Sequence, residues 1–114
     1  MRIELKRIFS TQLNTSEIPE DPTCCSVLIY ADIGEVGKES GDQFHFLIIT
    51  PQFLLTHPEV RWGKGYLLMP EFSWIGIENR VRQLVSSISV DTWDDAANKL
   101  SKYLEWEFEE YQHA

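Results

Sequence analysis

The side chains of this sequence that are capable of chemistry are few and scattered. Its three histidines are His45, His57 and His113. One alternates with phenylalanines in a strand-like run, one precedes a proline, and one is next to the last residue. No two share a helical or hairpin spacing that would converge on a zinc ion, so no metal site is expected. Cys24 and Cys25 are adjacent, a spacing that strains a disulfide and misses the two-residue gap of a redox or zinc pair. They read as reduced thiols packed on or just before a strand. No serine stands in the glycine-flanked turn of a hydrolase, and neither cysteine has the local setting of a nucleophile. His45 folded against Cys25 or Asp32 across a hairpin would make an acid–base group; an ordinary sheet residue is the plainer reading. No catalytic residue and no cofactor is expected.

Carboxylates are plentiful, in Glu20-Asp21, Asp94-Asp95, Glu107 and Glu109-Glu110. They do acid–base work or hold a hard cation only where they converge in a cleft. Most of these fall at turns, helix starts and outer faces, where charge is simply solvated. The chain of 114 residues carries 18 acidic and 10 basic residues, a formal net charge of −8. Such a field repels phosphate backbones and anionic lipid, so neither nucleic acid nor a membrane is an expected partner. It draws in a basic protein and speeds the encounter, or serves only to keep the chain soluble. No stretch approaches the roughly 20 apolar residues of a membrane span. Met1-Arg2-Ile3-Glu4-Leu5-Lys6 lacks the apolar core of a secretion signal, and a cytoplasmic location is expected.

Elements must position these groups. Residues 2–9 alternate Ile3 and Leu5 against Arg2, Glu4 and Lys6, the period of a strand with one wet face. Residues 10–23 read as a loop, held extended or turned where Pro19 and Pro22 bracket Glu20-Asp21. Residues 26–33 are almost continuously apolar, as in an inner strand. Gly34, Gly37 and Gly41 turn the chain. Residues 43–50 return with Phe44, Phe46 and Ile48 on one face and His45, Leu47 and Ile49 on the other, so the two strands pair as an antiparallel hairpin. Thr50-Pro51 starts a short helix through Leu55 that Pro58 stops. Residues 66–69, between Gly65 and Pro70, read as a further strand. Two helices follow. Ser73 caps the first, whose apolar face is Trp74, Ile77, Val81, Leu84, Val85 and Ile88. Thr92 opens the second, its hydroxyl capping the amide of Asp95, with a buried stripe of Trp93, Ala97, Leu100, Leu104, Phe108 and Tyr111. With 43% apolar and 12% aromatic residues, the chain can fill one core. The expected fold is α+β, one domain over residues 1–114, with a small antiparallel sheet packed against two C-terminal helices.

The last helix, so placed, carries the most informative pattern. Glu105-Trp106-Glu107-Phe108-Glu109-Glu110-Tyr111 interleaves carboxylates with large rings. Trp106 would lie about 200 degrees from Phe108 around a helix, off the buried stripe. A tryptophan flanked by glutamates on an exposed face suits an interface anchor with an electrostatic rim; the bland alternative packs it under the 10–23 loop. The charged, glycine-rich 34–42 turn is a second candidate surface.

The pattern Thr92-Trp93-Asp94-Asp95-x-Ala97-x-x-Leu100, followed by Trp106-Glu107-Phe108-Glu109-x-Tyr111, resembles the immunity protein 8 family of bacterial polymorphic-toxin systems. So do Ile3-Glu4-Leu5-Lys6, Pro19-Glu20-Asp21-Pro22, and Phe44-x-Phe46 leading to Thr50-Pro51, all in the same order along nearly the whole chain. The resemblance implies a cytoplasmic α+β protein without a catalytic site, encoded beside a secreted toxin that it binds and neutralises. It carries over no toxin-contacting residues. On charge and placement, the expected contributors are Glu35, Glu39 and Asp42 on the hairpin loop, and Glu105, Trp106, Glu107, Glu109 and Glu110 at the C-terminal end. The expected partner is a toxin with a basic cleft, such as a nuclease; an adaptor or regulatory subunit in another complex is the alternative reading.

Overall fold

The computed structural model of the chain describes residues 1–109. Strands β1 (Ile3–Phe9), β2 (Ser26–Glu35) and β3 (Asp42–Ile49) come first. After them run helix α1 (Pro51–Thr56), strand β4 (Tyr66–Leu68), helices α2 (Trp74–Ser86) and α3 (Trp93–Leu100), and the short strand β5 (Glu105–Trp106). The class is α+β, as the sequence implies, and β2 lies between β1 and β3, antiparallel to both.

Alternation decides which way the sheet faces. Val27, Ile29, Ala31 and Ile33 of β2 and Phe44, Phe46 and Ile48 of β3 point to one side and are buried. In β1 the register slips between Leu5 and Arg7, so Lys6 is the extra residue of a bulge. That slip puts Arg7 opposite Asp32 and Ile8 opposite Ala31, and Ile8 packs on the core side with Ile3 and Leu5. The inner face is covered by Ile77, Val81 and Val85 of α2 and by Ala96, Ala97 and Leu100 of α3. Both helices start where the capping residues place them: Ser73 accepts from the Gly76 amide at 3.1 Å and Thr92 from the Asp95 amide at 3.2 Å. Thr50, fully buried, does the same for α1, accepting from the Phe53 amide.

Two sequence expectations are corrected. The sheet is mixed rather than wholly antiparallel, because β4 runs parallel to β3. The 50–65 connection is long enough for the crossover of about a dozen residues that a parallel neighbour requires. The second correction concerns the C-terminal end. α3 stops at Leu100, with Ser101 capping it, and Glu105–Trp106 is a strand that pairs antiparallel with β3 at His45 and Phe44. The run Glu105-Trp106-Glu107-Phe108-Glu109 alternates with period two, which is the pattern of a strand and not of a helix. β4 and β5 therefore lie along the same edge of β3, one after the other: β4 against Leu47 to Ile49 and β5 against Phe44 and His45.

Candidate functional site

The hairpin turn and the C-terminal segment, far apart in sequence, meet at one end of the sheet. The backbone of Glu107 donates to the Gln43 carbonyl at 3.1 Å, and the Gln43 amide donates to the Glu107 carboxylate at 3.1 Å. Asp42, the first residue of β3, accepts from the indole N–H of Trp93 at 2.7 Å and from that of Trp106 at 2.9 Å, both on the same oxygen. Phe44 stacks on Trp106 with ring centroids 6.3 Å apart and meets Trp93 edge-on at 6.4 Å.

This packing reverses the expected roles of the two C-terminal rings. Trp106 is only 7% exposed and belongs to the core, whereas Phe108 is 43% exposed. On a strand paired with Phe44, Trp106 faces the same side as that core ring, and the helical offset that would have carried it outward does not apply. Trp106 is thus a core ring and not a surface anchor. It stacks on Phe44. Asp42, likewise, is committed to two indoles and is half-buried.

The remaining candidate carboxylates stay at the surface. Glu35 pairs with Lys38 at 3.3 Å, and Glu39 on the turn is exposed. Lys64 reaches Glu109 at 2.7 Å and Glu105 at 3.8 Å. The hydrogen bond that Lys64 donates to the Glu109 carboxylate raises the lysine pKa, with the nearby Glu105 charge adding to it, so this lysine stays cationic. Glu107 is exposed. Glu110, also expected to contribute, lies outside the described residues, as does Tyr111 of the expected stripe. Among the described residues no cation pairs with Glu39 or Glu107, so this end of the molecule keeps an excess of negative charge.

The acid–base arrangement around His45 is not assembled. His45 lies across from Tyr30, ring centroids 6.0 Å apart. Asp32 is taken by Arg7 at 3.2 Å, and Cys25 is buried in the core. Burial above all raises the Cys25 pKa, with the charges of Cys24 and Asp21 contributing, which keeps it a thiol. Among the described residues no group of three or more His, Cys, Asp or Glu side chains is placed to hold a metal ion. No helix there is long and apolar enough to cross a membrane.

One surface residue that the sequence reading passed over stands out. Trp62, in the connection between α1 and β4, is 93% exposed. Its neighbours Arg61 and Lys64 tie the segment to the sheet: the Arg61 guanidinium lies over the Tyr66 ring, 5.6 Å from its centroid, and Lys64 bridges to Glu105 and Glu109. The available signal was a tryptophan set among charges and glycines with no apolar periodicity around it, which is loop chemistry and not core chemistry.

A two-layer α+β domain with this ordered set of aromatic and acidic positions defines the class. The chain belongs to the immunity protein 8 family, whose model, described as Immunity protein 8, matches residues 3–111 of the 114. The resemblance drawn from the sequence is borne out. No curated protein and no solved structure matches the chain.

Proposed function

We propose that this chain is an immunity protein that binds a cognate toxin in the cytoplasm of the producing cell and blocks its active cleft by bulk and charge. The family match over residues 3–111 is the observation that carries this reading. The net charge of −8 supports a basic target, since opposite fields speed encounter and suppress wrong partners. A cleft built to hold nucleic acid is basic for the same electrostatic reason, so a nuclease is one kind of toxin that fits. The surface proposed to face it takes in Glu35 and Glu39 by the hairpin turn and Glu105, Glu107 and Glu109 of the C-terminal segment, with Glu110 next to them in sequence. Asp42 and Trp106 support that surface from beneath through the hydrogen bond between them.

The test is a survival assay in which the C-terminal module of the adjacent large reading frame is expressed with and without this chain. Killing by the module and restored growth on co-expression are expected. A module that kills regardless, or that is not toxic, removes the pairing. The adaptor reading would then lead.

A further inference from the structure

We propose that Trp62, with Val60 beside it, is the apolar anchor of the interface with that toxin, seated in a recess of the toxin whose rim is basic. The inference rests on the immunity reading and names the residues that hold the complex together once it has formed.

Single exposed apolar side chains are ordinary, and it is contiguous ones that mark interaction sites. Trp62 is 93% exposed and Val60 fully so, with Leu55 at 81% and Leu68 at 63% on the elements the segment joins. The other three tryptophans are buried or half-buried. Each has a job in the fold: Trp93 and Trp106 bind Asp42, and the Trp74 indole donates to the Glu17 carbonyl at 2.7 Å. Trp62 has no hydrogen bond or ring contact of that kind among the described residues.

The segment is nevertheless held from both sides. Arg61 pairs with Glu59 at 2.6 Å and lies over Tyr66, while Lys64 reaches over to β5. Gly65 has φ +81°, and a Cβ there would come within 3.0 Å of the Glu105 carboxylate, so the loop approaches β5 closely. Trp62 thus projects from a strap fixed one residue before it and two residues after it. An anchor held this way loses less conformational freedom on binding, and tryptophan is the residue most enriched at such centres.

Charge selects the occupant. Around the strap Glu59 pairs with Arg61, and Glu105 and Glu109 pair with Lys64, so the field a partner meets is set by the net charge of −8. A second copy would bring its own charge of −8 against this one, and an anionic membrane would be repelled in the same way. A basic protein surface fits.

The experiment uses the full chain and the toxin module of the survival assay. Trp62→Ala and Trp62→Phe are made, with thermal melting as the control for folding; an exposed side chain should leave the midpoint in place. Dissociation of the Trp62→Ala complex is expected to be about 30-fold faster or more, the effect of a hot-spot residue, with association within about twofold of wild type. Trp62→Phe should recover part of the loss. Acrylamide quenching of tryptophan fluorescence should fall when the complex forms. If Trp62→Ala dissociates at the wild-type rate while the wild type still protects cells, Trp62 is no anchor and the immunity reading survives. If the wild type neither binds nor protects, both fall together. A wild-type dimer in sedimentation that Trp62→Ala returns to monomer would assign the strap to a second copy and overturn the proposal.

Discussion

Asp42 is the residue on which the C-terminal end of the fold turns. One of its carboxylate oxygens receives two indole N–H groups, from α3 and from β5, and hydrogen bonds to a charged acceptor are worth more than neutral ones. Asp42→Ala leaves both indoles without that partner, at an expected loss of about 3 kcal/mol of stability, read by urea unfolding. At temperatures where the variant is folded, its association with the toxin should be close to wild type, because the carboxylate is not free to meet a partner. A wild-type unfolding midpoint would show that the two indoles find other acceptors. The residue types at this site were legible in the sequence: Asp42, Trp93 and Trp106 were all singled out. Their convergence was not, because a carboxylate at a hairpin and an indole on an assumed helix give no sign of meeting. Only the pairing of β5 with β3 brings them together.

At the scale of elements, what the sequence revealed followed local rules and what it hid was long-range. The hairpin, the caps at Thr50, Ser73 and Thr92, and the stripe of α2 each depend on neighbours within a few positions, and each is present. The end of α3 at Leu100 and the parallel placement of β4 depend on partners tens of residues away. The interleaved rings after Glu105 carried the strand period; assigning them to a continuing helix is what misplaced Trp106. Gly65 gives a local test of how tightly the 59–65 strap is drawn against β5. Both Gly37 and Gly65 hold φ above +80°, but a Cβ at Gly37 meets nothing within 4 Å whereas one at Gly65 meets Glu105. Gly37→Ala should destabilise by about 1–2 kcal/mol from backbone conformation alone. Gly65→Ala should cost more, since Glu105 must also move, and differential unfolding curves of the two variants measure the excess. Equal costs would mean that Glu105 yields freely.

For the molecule as a whole, charge is the property the sequence states most directly and the one most open to measurement. If the acidic end steers the toxin, Glu39→Lys, Glu107→Lys and Glu109→Lys combined should slow association about tenfold or more at low ionic strength. The difference should shrink toward roughly 0.5 M salt, where screening acts within a few ångströms. Stopped-flow association at several salt concentrations checks both parts. A triple variant that associates as fast as wild type at low salt would leave no role for steering. The variants at Trp62 and these three should then separate cleanly, one set acting on how long the complex lasts and the other on how quickly it forms.

The sharing of one β3 edge by β4 and β5 also sets an order in time. Gln43 and Phe44 lie early in the chain, but their neighbours along that edge are Glu107 and Trp106, more than half the sequence later. A closure spanning so much chain is slow to find, because the intervening loop must first be gathered in. Until it is made, the rim of the sheet stands open beside Phe44 and invites another strand. The two-residue clasp of β5 is therefore expected to close late, and its closure covers the part of the β3 edge beside Phe44.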